Sequence, residues 1–388
     1  GLRIAPLSID AAPPAPAALG AYANDPPVTS TEDWLSRRAP VLRAAFESIY
    51  GAAPRSAETR IVSRALIDAA GFGGAGRIEQ ISLRVSANGA DLPLTMVLVT
   101  PNAVWGPAPI VVIPNFCGNP AAFGNRYPAM AAPVWLAPRC RNAATRSVVR
   151  ALHGANIVRP PFRDLISDGF AVATFSPAEI APDDPGGAAP ILTQLSADVG
   201  AWAWSIVQVV GVLELEPRID RERIAVFGHS RFGKAALWAA AMDQRVGLVI
   251  ANQSGRLGAS VTQSPTGERL SDLFERFPHW FPPSARDAAQ RDDIDQHLLL
   301  ALIAPRPILI GGARLDRWSD PAAAFRAAQA ATPVYRLFGG EGLTQQTVAA
   351  PDFDAEIAFF LRDGGHGVRP YDWRMARRFL AAHFQQEP

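Results

Sequence analysis

RIAVFGHSRFGKAALW, residues 223–238, is the stretch of sequence that decides the fold. An apolar strand runs into Gly228-x-Ser230 and continues as a helix, and this succession forms a strained turn that lifts the serine hydroxyl above a sheet. We interpret Ser230 as a nucleophile, with a simple helix N-cap as the alternative. The second glycine, Gly233, comes one position later than in the G-x-S-x-G motif. It is followed by Lys234, the only lysine among the 388 residues.

Short apolar runs along the rest of the chain predict further strands of the same sheet. They lie at 108–116, 170–176, 223–230, 247–255, 306–313 and 333–340. Apolar strands that alternate with helices form a mostly parallel sheet covered on both faces, so we predict an α/β-hydrolase fold, a three-layer αβα sandwich. Residues 77–86 and 92–101 alternate with period two and predict an antiparallel pair. Residues 31–51 predict a helix after a Ser/Thr cap.

Length and composition fit one catalytic domain over residues 1–388. We expect an extended, Pro/Ala-rich segment at 1–30 and insertions at 117–160 and 255–300 that shape the substrate site, with surface elaboration as the alternative for the insertions. The 37 basic and 36 acidic residues leave a formal charge of +1, which argues against nucleic acid or a membrane as partner. We also expect a monomer.

A serine nucleophile needs a base and an acid that orients the base. His366 lies in the glycine-rich stretch RDGGHGVRP, after the last strand, and completes the order Ser, acid, His of α/β-hydrolases. We expect His153, His297 and His383 to be structural. His229 precedes the nucleophile, and neighbouring side chains at such a turn point apart.

Two aspartates follow the strand 306–313 and compete for the role of the acid. Asp316 lies nearer the strand end and is favoured, because its carboxylate can reach the loop of His366. Asp320 precedes Pro321 and fits the N-cap of the next helix. The choice between them stays open at this point.

The two cysteines and the remaining ionisable residues give no metal-site spacing. Cys117 and Cys140 could form one disulfide or remain two buried thiols. We expect no metal and no organic cofactor. The first 27 residues lack the basic and apolar regions of a signal peptide, which leaves open that a signal peptide has been removed.

Several motifs together resemble the glucuronoyl esterases of carbohydrate esterase family 15, particularly the bacterial members. From about residue 78 to the C-terminus, the matching motifs are NFCGN (115–119), GHSRFGK (228–234), NQSG (252–255), GE (267–268), FPHWF (277–281), DRWSDP (316–321) and GGHG (364–367). The resemblance implies a secreted or periplasmic esterase, which cleaves the ester between 4-O-methyl-glucuronic acid on xylan and lignin alcohols.

The same resemblance assigns roles to individual residues. Ser230 is the nucleophile, His366 the base, and Arg231 helps to stabilise the oxyanion. The sugar is held by Lys234, Glu268 and Trp318, for which the plainer readings are a helix-surface lysine, a solvated loop charge and core packing. A uronate presents hydroxyls to charged groups and an apolar face to an indole ring.

One departure from the family concerns the acid. Many members place the triad glutamate where this chain has Gln253. A neutral amide cannot stabilise an imidazolium by charge, so Asp316 has to supply it. The departure keeps a non-catalytic carbohydrate-binding protein as an alternative, beside an esterase for acetyl or feruloyl groups on xylan.

Overall fold

The computed structural model describes residues 16–54, 56–186 and 198–385. Within them, nine strands form one sheet in the order β1-β2-β3-β5-β4-β6-β7-β8-β9. Neighbouring strands from β5 to β9 in this order are parallel, and β1, β2 and β3 add antiparallel pairs at one edge. The strands are β1 (Ala57–Gly71), β2 (Gly76–Ala87), β3 (Ala90–Pro101), β4 (Ala108–Pro114), β5 (Ala171–Phe175), β6 (Ile219–His229), β7 (Leu248–Asn252), β8 (Ile308–Ala313) and β9 (Ile357–Arg362).

Helices cover both faces of this sheet, as the predicted α/β-hydrolase fold requires. In the described ranges they are α1 (Thr31–Asp33), α2 (Ala39–Tyr50), α3 (Gly118–Ala122), α4 (Ala143–His153), α5 (Phe162–Ser167), α6 (Asp198–Glu214), α7 (Arg231–Met242), α8 (Leu270–Arg276), α9 (Ala285–Ala288), α10 (Gln296–Ala301), α11 (Pro321–Leu337) and α12 (Pro370–Phe384). None of these helices is long and apolar enough to cross a bilayer.

Two apolar cores lie on opposite faces of the sheet, and the side chains of a single strand contribute to both. In β4, Ile110 and Val112 enter one core, while Val111 and Ile113 enter the other. Helices α2, α6, α7, α10 and α11 complete the first core, and α5 and α12 complete the second. Because successive side chains of a strand point to opposite faces, a strand buried on both sides reads as a continuous apolar run.

The structure confirms the early helix and the antiparallel pair. Helical structure runs from Thr31 to Tyr50, and the Ser30 hydroxyl accepts a hydrogen bond from the Asp33 backbone N–H at 3.1 Å. β2 pairs with β3 in one continuous antiparallel register. The expected extended segment at 1–30 falls outside the described residues up to residue 15. After it, Arg38 donates hydrogen bonds to the carbonyl oxygens of Ala18 and Gly20.

The prediction of a strand at 333–340 is wrong. Residues 333–337 are the end of α11, and the last strand of the sheet is β9. Val334 and Tyr335 are buried together with Ala327, Ala328 and Ala331, which are spaced at helical intervals. The apolar run therefore continues a helical pattern that begins at Pro321, and this period outweighs the β-branched and aromatic residues near its end.

The sequence did not reveal β1, the outermost strand. Its side chains are exposed at most positions on both faces, so no alternation of apolar and polar residues marks it. It pairs with β2 through a register that shifts at three points. The strand is therefore held by its backbone hydrogen bonds rather than by a buried face.

Candidate active site

The turn between β6 and α7 holds Ser230 in a strained conformation. Its backbone has φ 56° and ψ −126°, which an L-residue rarely adopts. A Cβ at Gly228 would lie 2.1 Å from the Phe232 carbonyl oxygen, and one at Gly233 would lie 2.8 Å from the Ser254 Cβ. Both glycines are therefore required by close packing around the turn, and the late position of Gly233 follows from its contact with the loop after β7.

His366 and Asp316 are in contact. The imidazole Nδ1 lies 2.7 Å from Asp316 Oδ2, in the geometry of a hydrogen bond donated to the carboxylate. The backbone joins the two loops as well, because Leu315 N donates to Gly364 O at 2.9 Å. Burial would raise the pKa of Asp316, but the hydrogen bonds from His366 and Ser319 outweigh burial and lower it. The carboxylate is therefore charged wherever His366 is to act as a base.

Asp320 serves a different purpose, as the N-cap of α11. Its side chain accepts a hydrogen bond from Ala323 N at 3.2 Å. It also accepts hydrogen bonds from the hydroxyls of Ser264 at 2.7 Å and Thr266 at 2.9 Å. These contacts tie Asp320 to the second insertion and not to His366.

Lys234, Glu268 and Trp318 line one pocket together with Ser230 and His366. The Lys234 ammonium is buried and donates to the carbonyl oxygens of Ser254, at 2.7 Å, and Arg256. An ammonium has three donors, so one remains for a ligand. Burial lowers the pKa of Lys234 to about 8, against the opposing charge of Glu268.

The carboxylate and the indole complete this pocket. Among the described residues, Glu268 Oε1 has no hydrogen-bond partner although it is buried. Burial raises the pKa of Glu268, and the charge of Lys234 only partly offsets it. The Trp318 ring is 40% exposed, which rules out simple core packing, and the Arg276 guanidinium lies 4.6 Å from its centre.

Arg231 lines a different cavity beside Ser230. Its guanidinium stacks on Phe116, with 4.8 Å to the ring centre, and lies 3.2 Å from Asp183 Oδ2. Burial lowers the pKa of Arg231 to about 10 despite the charge of Asp183. Trp280 Nε1 donates to Asp183 Oδ1 at 2.7 Å, and His279 Nε2 lies 2.9 Å from the same Oδ1. The FPHWF motif therefore orients the carboxylate that holds Arg231.

A second cavity reaches Ser230 and His366 from the side of Arg231. Its walls come largely from the first insertion, namely Cys117, Arg139, Cys140, Val149, His153, Ile157 and Val158. Cys117 and Cys140 form a disulfide in this wall, so the alternative of two free thiols is wrong. Both insertions therefore contribute to pockets at the nucleophile, and the two pockets meet at Ser230 and His366.

Comparison with known proteins identifies carbohydrate esterases as relatives of this chain. The family described as "Glucuronyl esterase, fungi" matches residues 148–339. Carbohydrate esterase MZ0003, from an unknown prokaryotic organism, is 30% identical over 376 residues, which cover 92% of this chain and 86% of that protein. A promiscuous CE15 esterase from a marine bacterial metagenome superposes with a TM-score of 0.83 at 28% identity, over 97% of this chain and 99% of that one. The chain belongs to carbohydrate esterase family 15.

A fungal relative of this family 15 esterase carries a more specific name. The 4-O-methyl-glucuronoyl methylesterase 1 of Phanerochaete chrysosporium is 32% identical over 151 residues. The matching part covers 36% of this chain and 32% of that protein.

In this family 15 esterase, the neutral side chain of Gln253 holds the loop of His366. Its side-chain amide donates to Gly367 O and accepts from Gly367 N. On the other side, His153 Nδ1 lies 3.1 Å from His366 O, and the Val368 N–H donates to His153 O at 2.7 Å. The loop is therefore fixed from β7 and from the first insertion at once, and His153 has a structural role beside the base.

The other histidines differ from His366 in their surroundings, and none of those described next contacts Asp316 within the described residues. His229 is buried with its ring centre 4.7 Å from that of His366. Burial and the nearby positive charges keep the pKa of His229 well below its usual value, so its ring stays neutral. His297 is buried in α10, and His383 lies in α12.

Sequence reasoning missed two charged residues of the esterase. Arg256 is buried and donates to backbone carbonyls of the loop 261–268, including that of Glu268 at 2.9 Å. Asp183, Asp198 and His279 bring three possible ligand atoms within 4.8 Å of one another. The positive charge next to this set is the Arg231 guanidinium. Neither Arg256 nor Asp183 stands in a recognisable motif, and only the folding of the chain brings their partners close.

Proposed function

We propose that this chain hydrolyses the ester between 4-O-methyl-D-glucuronic acid on xylan and alcohols of lignin. One observation carries the proposal: within the described residues, the pocket beside Ser230 offers a free ammonium donor at Lys234 and one buried carboxylate oxygen, Glu268 Oε1, that has no hydrogen-bond partner. Sugar hydroxyls satisfy both groups, because a hydroxyl accepts from one and donates to the other. The exposed Trp318 ring suits the apolar face of a pyranose.

An acetyl or feruloyl ester suits this pocket less well. Neither acyl group has hydroxyls placed to satisfy a buried ammonium and a buried carboxylate together. A buried charged group that stays unpaired in the complex costs binding free energy. The charge pair therefore favours a uronoyl group over these two.

The reaction would proceed through an acyl-enzyme. His366 takes the proton of the Ser230 hydroxyl, and the oxygen attacks the uronoyl carbonyl carbon. Negative charge develops on the carbonyl oxygen, where the Arg231 backbone N–H and guanidinium can donate hydrogen bonds. The tetrahedral intermediate collapses, the C–O bond to the alcohol breaks, and His366 returns the proton to the alcohol oxygen. Water then attacks the acyl-enzyme by the same route and releases the uronic acid.

Asp316 would stabilise the imidazolium that forms in each step. The 2.7 Å contact to His366 Nδ1 and the lowered pKa of Asp316 support this role. The contact also fixes the tautomer, since Nδ1 carries the hydrogen and Nε2 is left to take the serine proton.

The second cavity would receive the alcohol. Its lining is mostly apolar, with Phe116, Val149 and Val158, and it adjoins Ser230 on the side away from Lys234. The position and character of this cavity suit the hydrophobic part of a lignin alcohol. The Cys117–Cys140 disulfide in its wall supports a secreted or periplasmic location, because disulfides persist in oxidising compartments.

Hydrolysis of benzyl D-glucuronate tests the proposal. We expect turnover by the wild-type chain, and a loss of at least about a thousandfold in kcat for Ser230→Ala. Acetylated xylan serves as the competing substrate and should be hydrolysed poorly. A folded wild-type chain without turnover, or a Ser230→Ala variant with full activity, would refute the assignment. Faster hydrolysis of acetylated xylan would favour the acetyl esterase instead.

A further inference from the structure

The first insertion carries an excess of positive charge that the proposed reaction does not use. Residues 117–160 contain six arginines and no Asp or Glu, although the whole chain is almost neutral. None of the six forms a salt bridge within the described part of the chain, whereas Arg218, Arg245 and Arg377 each pair with two carboxylates. The six are Arg126, Arg139, Arg141, Arg146, Arg150 and Arg159.

Helix α4 brings two of these arginines to the catalytic pocket. Arg146, Val149, Arg150 and His153 are spaced by three, one and three residues, so they share one helix face. Val149 and His153 line the cavity at Ser230. Arg146 and Arg150 are therefore at the rim of the same cavity, where both are half-buried.

The side chains of this face are held in place without a counter-charge. Arg146 Nη1 donates to the Cys140 carbonyl oxygen at 2.7 Å, next to the disulfide. Arg150 Nε is buried and has no hydrogen-bond partner among the described residues. An arginine held in this way can still offer the other N–H groups of its fork to a carboxylate.

Two exposed arginines extend the charged face. The Arg159 guanidinium lies over Gly124, whose Cβ would be 3.1 Å from Arg159 Cζ, and Arg126 follows two residues after this glycine. Desolvation and the positive charges of Arg150, Arg126 and Arg146 lower the pKa of Arg159. The four side chains thus repel one another, and an anion bound among them would relieve that repulsion.

We propose that Arg126, Arg146, Arg150 and Arg159 form a binding surface for the free uronate carboxylates of an acidic xylan. The choice of xylan rests on the proposed function: the uronoyl pocket and the arginine-rimmed cavity meet at Ser230 and His366, so a polymer whose ester is bound at Ser230 lies next to this rim. Neighbouring uronates of that polymer that are not esterified each carry one negative charge. Charge complementarity and continuity with the catalytic pocket both favour this occupant.

Binding of 4-O-methyl-glucuronoxylan to the Ser230→Ala chain, measured by affinity electrophoresis, tests this surface without turnover. We expect Arg126→Gln with Arg159→Gln to weaken binding about three- to tenfold at low ionic strength. Arg221→Gln with Arg336→Gln is the matched control, because it removes two exposed charges near the start of β6 and the end of α11, whereas Ser230 follows the carboxyl end of β6. The control should bind like the parent.

A second double variant, Arg146→Gln with Arg150→Gln, probes the half-buried pair. Its melting temperature and far-UV circular dichroism, compared with those of the parent, show whether it folds. It should also weaken binding, and salt at about 1 M should remove the difference from the parent, because ionic screening is then short-ranged.

The ligand chemistry is tested with modified polymers. Xylan whose uronates have been reduced to neutral sugars should bind no better to the parent than to the variants. Equal losses of xylan affinity in the variants and the control would overturn the proposal, and so would undiminished binding of the reduced xylan by the parent. Tighter arginine-dependent binding of polygalacturonate than of xylan would overturn it as well. Arginine-dependent binding by a chain that cannot hydrolyse benzyl glucuronate would contradict the proposed function alone.

Discussion

The side-chain amide of Gln253 and the peptide groups at Gly367 hydrogen-bond in both directions. Gln253 Oε1 accepts from Gly367 N at 2.9 Å, and Gln253 Nε2 donates to Gly367 O at 3.1 Å. A glutamate at this position could make only the first of these bonds. Gln253 therefore positions the loop that carries His366, and the negative charge beside His366 comes from Asp316.

Gln253→Glu should lower kcat by about tenfold with little change in KM. The new carboxylate faces the Gly367 carbonyl oxygen without a hydrogen, and a buried acceptor that loses its donor costs about 1–3 kcal/mol. Steady-state kinetics with benzyl glucuronate measure the effect. Gln345→Glu is a matched control, since Gln345 makes the same two bonds to Phe359 of β9. It should lower the melting temperature and leave kcat nearly unchanged; a higher kcat for Gln253→Glu would contradict the positioning role.

Asp316→Asn should reduce kcat by roughly 10³- to 10⁴-fold, as loss of the charge behind a catalytic histidine does in other serine hydrolases. Asp320→Asn should instead lower stability by about 1 kcal/mol, because Oδ2, which accepts from two hydroxyls and lies 3.6 Å from Arg256 Nη2, is replaced by a neutral NH2 group. Kinetics and thermal melting of both variants separate the two roles. The assignment would be reversed if Asp320→Asn lost activity and Asp316→Asn kept it.

Asp183→Asn should lower kcat by about ten- to a hundredfold while KM stays nearly constant. Without its charge, residue 183 holds the Arg231 guanidinium less firmly. A guanidinium that is no longer aligned with the oxyanion stabilises the transition state less, while substrate binding changes little. Asp184→Asn, at the adjacent exposed position, is the control and should leave kcat unchanged. A change confined to KM would argue that Arg231 binds substrate instead.

The pH dependence of KM should report on Lys234. Burial lowers its pKa to about 8, so the ammonium loses its proton as the pH rises through that value. The neutral amine is a weaker donor to sugar hydroxyls, and KM for benzyl glucuronate should rise above about pH 8. Lys234→Met should show a high KM that does not vary with pH in this range. The same rise in this variant would assign the titration to another group.

Removal of the disulfide should destabilise the chain. Cys117 and Cys140 are 23 residues apart, and closing a loop of this size contributes about 3 kcal/mol. Denaturation of the Cys117→Ser, Cys140→Ser variant by urea measures the loss. Because the bridge is part of the cavity wall, kcat/KM should fall more for a bulky alcohol ester than for the methyl ester.

The sequence predicted the parts of the fold that carry a local pattern. The parallel strands appear as continuous apolar runs because both of their faces are buried, and the turn at Ser230 requires its flanking glycines for steric reasons. β1 has no such pattern, since it is exposed, and 333–340 combines strand-forming residues with a helical period. Periodicity predicts burial, and it fails where an element is exposed or where two periods overlap.

The sequence identified the candidate site residues that stand in a motif. It did not identify the residues that hold them in place. Position in the sequence favours Asp316 over Asp320 but leaves the choice open, and the contact of Asp316 with His366 distinguishes them. Arg256 and Asp183 act through partners that are distant in the chain. Such contacts depend on the packing of loops, for which a single sequence carries no period.

The exposed outer strand β1 limits which surface substitutions this protein can tolerate. An unpaired strand edge can accept a strand from another copy, and aggregation can begin there. Ile61, Val62 and Leu66 are exposed on β1, while Arg60 and Arg64 and the three register shifts in its pairing with β2 make a second strand a poor fit. Replacing Arg60 or Arg64 by an uncharged residue would therefore favour self-association of the protein, whereas the same exchange on an outer helix would have little effect.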